Sequence, residues 1–209
     1  IDFSMSILIK SAKIIDASSK FNGKTKDIFI KQGVIQEIDD KIVKKSAKEI
    51  NLDNLHISQG WLDSSVCFGE PGLEERETIE NGSLTACLSG FTDIILNSNT
   101  LPVIDSKADV IYVKSKNKNN ALKIHPLGAL TVKSEGSEMA ELHEMFDSGA
   151  VGFYDYKTSV KNPNLLKTAL QYVQHFDGLI MTFPFEKSLC QNGQMNEGEI
   201  STLYGLEGI

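Results

Sequence analysis

The sequence predicts an α/β chain in two parts: a small N-terminal β domain over residues 5–56, and a parallel sheet with helical crossovers over residues 57–209. Three observations predict it. Short β-branched runs separated by turn residues fill the first part. From residue 57 strand patterns alternate with helical ones, which implies a parallel sheet with right-handed crossovers. Five strands fit in this second part, whereas a closed (β/α)8 barrel needs eight strands and about 250 residues. The pattern therefore stops after roughly half a barrel, as a fragment of a longer protein would. Spacing alone equally permits an open doubly wound sheet.

In the first part the runs are residues 7–10, 13–16, 27–31 and 34–38, with turns at Asn22-Gly23 and Gln32-Gly33; residues 53–56 close it. Residues 57–68 read as a strand and loop. Residues 77–89 read as a helix with Ile79, Leu84 and Leu88 on one face and Gly90 as its stop. Residues 91–96 and 123–130 are buried-type strands. Residues 138–147 read as an amphipathic helix with Met139, Leu142, Met145 and Phe146 inward, ended by Ser148-Gly149. A strand over 150–155, a helix over 164–176 and a strand over 178–183 follow. Residues 114–120, Lys-Ser-Lys-Asn-Lys-Asn-Asn, read as a solvated loop.

Composition narrows the function classes. A formal charge of -7 and the lack of any basic run argue against nucleic acid or anionic lipid as a partner. No apolar stretch is long enough to cross a bilayer. No signal peptide is expected, and Met5 opens a plausible natural start. Cys67, Cys87 and Cys190 are odd in number and lack zinc-ribbon spacing, so they read as reduced thiols of a cytoplasmic protein. Neither a Gly-x-Gly-x-x-Gly turn nor a Walker loop is present, so nucleotide binding has no support.

Several segments together carry a resemblance. Trp61-Leu-Asp-Ser-Ser-Val-Cys-Phe-Gly-Glu-Pro-Gly72 is followed by Glu74-Glu-Arg-Glu-Thr-Ile-Glu-Asn-Gly82 and Gly90-Phe-Thr. Then come Asn99-Thr-Leu-Pro-Val-Ile-Asp105, Gly128-Ala-Leu-Thr131 and Gly149-Ala-Val-Gly-Phe-Tyr-Asp155. Lys187-Ser-Leu and Met195-Asn-Glu-Gly-Glu-Ile-Ser201 complete the series. In number, order and spacing these resemble the dihydroorotases of the amidohydrolase superfamily, across essentially the whole chain. The first segment is similar to the family's Asp-x-His-x-His-x-Arg-Glu-Pro-Gly. The resemblance implies the N-terminal half of a TIM-type (β/α)8 barrel with a small β-sandwich-like domain beside it.

It also implies a chemistry, hydrolysis of a cyclic amide with one or two zinc ions activating water. The chain departs from the family where that chemistry sits. The first-strand His-x-His pair falls on Ser65 and Cys67. Serine is a poor zinc ligand, and a lone thiolate does not make this site. The arginine that would fork onto the substrate carboxylate falls on Gly69. A later histidine ligand falls on Phe183. The bridging carboxylate aligns with Asp155, followed by Tyr156, and the substrate-holding asparagine with Asn99. Further ligand positions of the family fall beyond residue 209. Since even changes around a metal ligand cost roughly 10–100-fold in affinity, three lost imidazoles are not repaired by Asp155.

Ordinary structural roles stand beside these. Beside its relic-ligand reading, Asp155 also reads as a surface carboxylate, and Asn99 reads as a turn residue. His56, His125, His143 and His175 miss the family ligand positions and read as hydrogen-bonded structural histidines. Cys67 as a nucleophile would need a neighbouring base. The reading reached is a catalytically inactive dihydroorotase homologue without a bound cofactor. The resemblance implies support of aspartate carbamoyltransferase as a role. A homo-oligomer, or a missing C-terminal half, would complete the barrel. The alternatives are an active zinc-dependent dihydroorotase or related cyclic-amide hydrolase with an altered site, and a small-molecule binder using Asn99.

Overall fold

The computed structural model describes residues 6–45, 47–117, 121–186 and 193–209. It divides into two compact units, Ile1–Gly60 and Trp61–Ile209. Lys187-Ser188-Leu189 of the motif series and Cys190 lie outside the described residues.

The small unit is a mixed five-stranded sheet built on one long strand. β1 (Ser6–Ile15) pairs antiparallel with β2 (Thr25–Lys31), which pairs with β3 (Val34–Asp39). On its other edge β1 takes β4 (Lys48–Asn51) and then β5 (His56–Ser58), both parallel. Two runs read separately from the sequence are thus one strand, interrupted by a bulge at Ser11, whose φ is +53°. The buried Asp27 organises that bulge. It accepts the Ser11 N–H at 2.9 Å and the Ile42 N–H at 2.9 Å, and pairs with the Lys10 ammonium. Burial pushes the Asp27 carboxyl up, but these donors outweigh it and hold it below the usual aspartate range.

The larger unit is a parallel sheet in strict chain order. Its strands are β6 (Trp61–Val66), β7 (Phe91–Leu96), β8 (Lys123–Gly128), β9 (Gly152–Tyr154) and β10 (Ile180–Met181). A doubly wound sheet would reverse direction at a switch point. The unbroken order β6-β7-β8-β9-β10 is that of a barrel, here five strands of it.

Alternation sets which face is core. Ile94 and Leu96 of β7, Ile124 of β8 and Phe153 of β9 pack outward against the helices. Asp93, Ile95 and His125 face the concave side, with Leu62 and Val151. The helices over the outer face are α1 (Ile79–Leu88), α2 (Lys107–Lys116), α3 (Leu142–Asp147) and α4 (Pro163–Val173), and a short α5 (Glu199–Tyr204) follows the last strand. None is long and apolar enough to cross a membrane.

Three helix readings are corrected. On α1, Ile79 is buried, but Leu84 and Leu88 are 57% and 81% exposed. Five positions along a helix turn it through roughly 500°, about 140° past full circle, so residues 79 and 84 never share a face. The packed face is Ile79, Gly82 and Ser83, with Ala86 and Cys87 beside them. Phe68 lies so close over Gly82 that a Cβ there would meet its ring at 2.4 Å. The polar run at 114–120 begins inside α2, whose Val110 and Val113 are its buried residues. Asp109 reaches back to the Ser106 N–H at 3.1 Å to cap that helix. Finally, α3 starts at Leu142. Met139 instead bridges to Thr131 in extended backbone, and Leu142 and Met145 carry the buried contacts.

Candidate functional site

The site residues of the sequence gather at the C-terminal ends of β6, β7 and β9, with Phe183 beyond β10. A register shift in the β6–β7 pairing between Asp63 and Val66 sets the phase of the first strand. Val66 and Phe68 turn outward to the core. Ser65 and Cys67 turn the other way and are exposed.

Asn97, a residue the sequence reading passed over, joins them. It follows β7, is 1% exposed, and its backbone N–H donates to Val66 O at 2.9 Å. Its side-chain Nδ2 donates to Ser65 Oγ at 3.1 Å, Val66 O at 3.1 Å and Cys67 Sγ at 3.4 Å. The next residue, Ser98, donates its hydroxyl to Tyr154 O at 2.8 Å and so laces the ends of β7 and β9 together. Asn99 is half-buried and makes no hydrogen bond among the described residues.

Asp155 is 1% exposed. Its Oδ1 accepts the backbone N–H of Leu130 at 2.9 Å and of Thr131 at 3.0 Å, and its Oδ2 accepts the Thr131 hydroxyl. Thr131 Oγ1 in turn accepts the Gly136 N–H at 2.8 Å. The carboxylate is thus the anchor of the loop after β8. Tyr156 lies beside Cys67, and Lys157 beside Tyr156. The hydrogen bond to Cys67 holds the Tyr156 phenol above its usual range, against the pull of Lys157. Phe183 is half-buried and stacks on Phe185 at 5.5 Å.

Gly69 is buried in the turn that follows β6. Its carbonyl accepts the Leu73 N–H at 3.0 Å, and a Cβ built on it would lie 2.1 Å from Leu73 O. The backbone has no room for a side chain there. The neighbouring Glu70 is structural. Oε2 accepts the Ile79 N–H at the start of α1 at 2.9 Å, and Oε1 meets Tyr112 Oη at 2.9 Å and Lys116 Nζ at 3.0 Å. Burial raises its pKa, but these three donors together hold it below the usual glutamate range. Both Glu70-Pro71 and Leu101-Pro102 are cis, and Pro71 O accepts the Leu101 N–H at 3.0 Å.

The histidines lie elsewhere. His125 pairs with Asp93 at 2.8 Å on the concave face, and its hydrogen bond holds the Asp93 carboxyl low. His143 packs edge-on to Phe176, with ring centroids 5.1 Å apart. His56 Nδ1 lies 2.8 Å from Asn54 O. His175 lies in a 3-10 turn after α4. A recess of about 840 Å³ lies away from Ser65 and Cys67, among the loops after β8 and β9, with Ser137, Lys157, Thr158 and Lys161 on its wall.

A zinc site needs free lone pairs converging from thiolate, imidazole or carboxylate groups. Here Ser65 and Cys67 both accept from Asn97, and Leu130 and Thr131 take three of the four acceptor sites of Asp155. The donor set does not fit the family's metal.

The fold has close counterparts. An L-hydantoinase from Arthrobacter aurescens superposes with a TM-score of 0.69 at 18% identity, over 85% of this chain and 40% of that one. A dihydroorotase crystal structure superposes at 0.61 with 14% identity, over 85% of this chain and 50% of that one. At such identities they establish the fold alone. In sequence, the dihydroorotase of Pelotomaculum thermopropionicum is 35% identical over 207 residues, 98% of this chain and 48% of that protein. That of Ruminiclostridium cellulolyticum is 35% identical over 205 residues, again 48% of its length. The chain spans about half the length of the curated relatives it matches. The dihydro-orotase-like family model matches residues 56–209. With that match and this identity along nearly every residue, the chain belongs to the dihydroorotase-like family.

Proposed function

We propose that this chain is a non-hydrolytic dihydroorotase homologue of pyrimidine biosynthesis that serves as a scaffold for aspartate carbamoyltransferase. The observation that carries the first half is Asp155. Its position is the one family metal ligand the chain keeps, yet its lone pairs hold the loop after β8. Moving them to an ion would strand the buried N–H groups of Leu130 and Thr131, at roughly 1–3 kcal/mol each. Ser65, Cys67 and Gly69 support the same reading, since hydrolysis needs a polarised carbonyl, an activated water and a grip on the substrate carboxylate. None of these side chains supplies one.

The scaffold half rests on the family resemblance. A shell whose packing persists after its chemistry is lost retains a use for its surface. The test mixes the purified chain with aspartate carbamoyltransferase and follows both by size-exclusion chromatography. A stable co-eluting complex is expected. Separate elution at micromolar concentration would sink the scaffold role. Dihydroorotate turnover with bound zinc would favour an altered but active hydrolase.

A further inference from the structure

We propose that Asn97 has taken the place of the metal ion, its carboxamide serving as a fixed, uncharged substitute that ties β6 to β7. This rests on the reading that the chain holds no catalytic metal, and adds what fills the locus.

An ion held by the side chains at 65 and 67 must sit within bonding reach of both. Nδ2 of Asn97 already does so at hydrogen-bond range, 3.1 Å from Ser65 Oγ and 3.4 Å from Cys67 Sγ. Its hydrogens carry the partial positive charge and point at the lone pairs a cation would use. A zinc ion bonded to the sulfur at about 2.3 Å on the side that Asn97 occupies would overlap that nitrogen.

The orientation of the amide is fixed by chemistry. Val66 O is an acceptor only, and it receives both the backbone N–H and the Nδ2 of Asn97. Turning the amide over would set oxygen against oxygen. The cost of the observed orientation is visible, since Asn97 Oδ1 is buried without a partner among the described residues. An unmet buried acceptor is costly, so the contacts on the nitrogen side hold the amide in this orientation. The tie joins β6, an edge strand of the sheet, to its neighbour.

The test uses the full chain and thermal unfolding. Ser65→Ala and Asn97→Ala are each expected to lower Tm, by about 2–4 °C per lost hydrogen bond for a chain of this size. The double variant should lose clearly less than the sum. Zinc chloride or EDTA should leave the wild-type Tm unmoved. Asn97→Asp, which replaces the donor by a carboxylate beside Cys67, should gain a zinc-dependent rise. If Asn97→Ala does not fold, Ser65→Ala and Cys67→Ala carry the test, because both side chains are exposed and their loss is tolerable. Additive losses, or no loss from Ser65→Ala and Cys67→Ala, overturn the Asn97 tie and leave the non-hydrolytic reading standing. A wild-type zinc response equal to that of Asn97→Asp also overturns it. Wild-type turnover accompanying that response would overturn the underlying reading as well.

Discussion

Thr131 grips Asp155 twice, its backbone N–H donating to Oδ1 at 3.0 Å and its hydroxyl donating to Oδ2. Together with the Leu130 N–H, this makes the carboxylate the keystone of the loop after β8. Asp155→Ala is expected to destabilise the larger unit by about 3 kcal/mol, since it leaves two buried N–H groups unpaired. Asp155→Asn, which keeps the volume, should cost less. Thermal or urea unfolding checks both, and the zinc content of the protein should be the same before and after.

Gly69 shapes a second prediction. Restoring an arginine there would drive its Cβ to 2.1 Å from Leu73 O, a backbone atom that cannot swing aside. Gly69→Arg should lower stability by at least about 1–3 kcal/mol, as overpacking of a buried site does. Adding Ser65→His and Cys67→His to it should not yield a hydrolase. Binding of dihydroorotate by the triple variant, followed calorimetrically, checks this.

Acid should unfold both units from the same cause. Asp27 and Glu70 are buried carboxylates whose donors hold their pKa values below the unfolded ones. The unfolded chain therefore takes up protons first as pH falls. Their contribution is complete above the ordinary carboxylate range, about 3.9–4.3, and is lost as pH falls through the lower folded values. Glu70→Gln and Asp27→Asn should each lower stability at pH 7 and flatten its fall below about pH 4.5. Unfolding followed across that range is the measurement.

The face of α1 gives a contrast between two leucine-sized residues on one helix. Ile79→Ala should cost about 2–5 kcal/mol, because Ile79 is fully buried. Leu88→Ala, at a position 81% exposed, should change stability by less than about 0.5 kcal/mol. A larger loss from Leu88→Ala than from Ile79→Ala would mean that the helix packs on its other face.

The same helix shows what the sequence made legible. The positions of the strands along the chain were readable because each is a short run of β-branched or apolar residues between turn signals, from Phe91–Leu96 to Ile180–Met181. The choice between barrel and doubly wound sheet was not, because spacing does not encode which strands pair. The α1 face was misread because leucine outweighs glycine and serine on any hydropathy scale, whereas the packing surface needs small residues under Phe68. Helix α2 was hidden by its lysines, since only Val110 and Val113 reach the core. At the candidate site, Ser65, Cys67, Gly69, Phe183, Asn99 and Asp155 were named by matching motifs. Motif matching could not find Asn97, whose importance is a matter of where its amide points. Nor could it show that Asp155 faces Leu130 and Thr131, because both partners lie on another strand's loop.

The central claim is that this dihydroorotase-like chain keeps the family's shell without its chemistry. Dihydroorotate hydrolysis by the purified full chain, assayed with zinc in excess, tests it most directly. The account predicts no turnover above the uncatalysed rate, and no difference between wild type and a folded Asp155→Asn variant. Turnover that appears with zinc and disappears in that variant would contradict it.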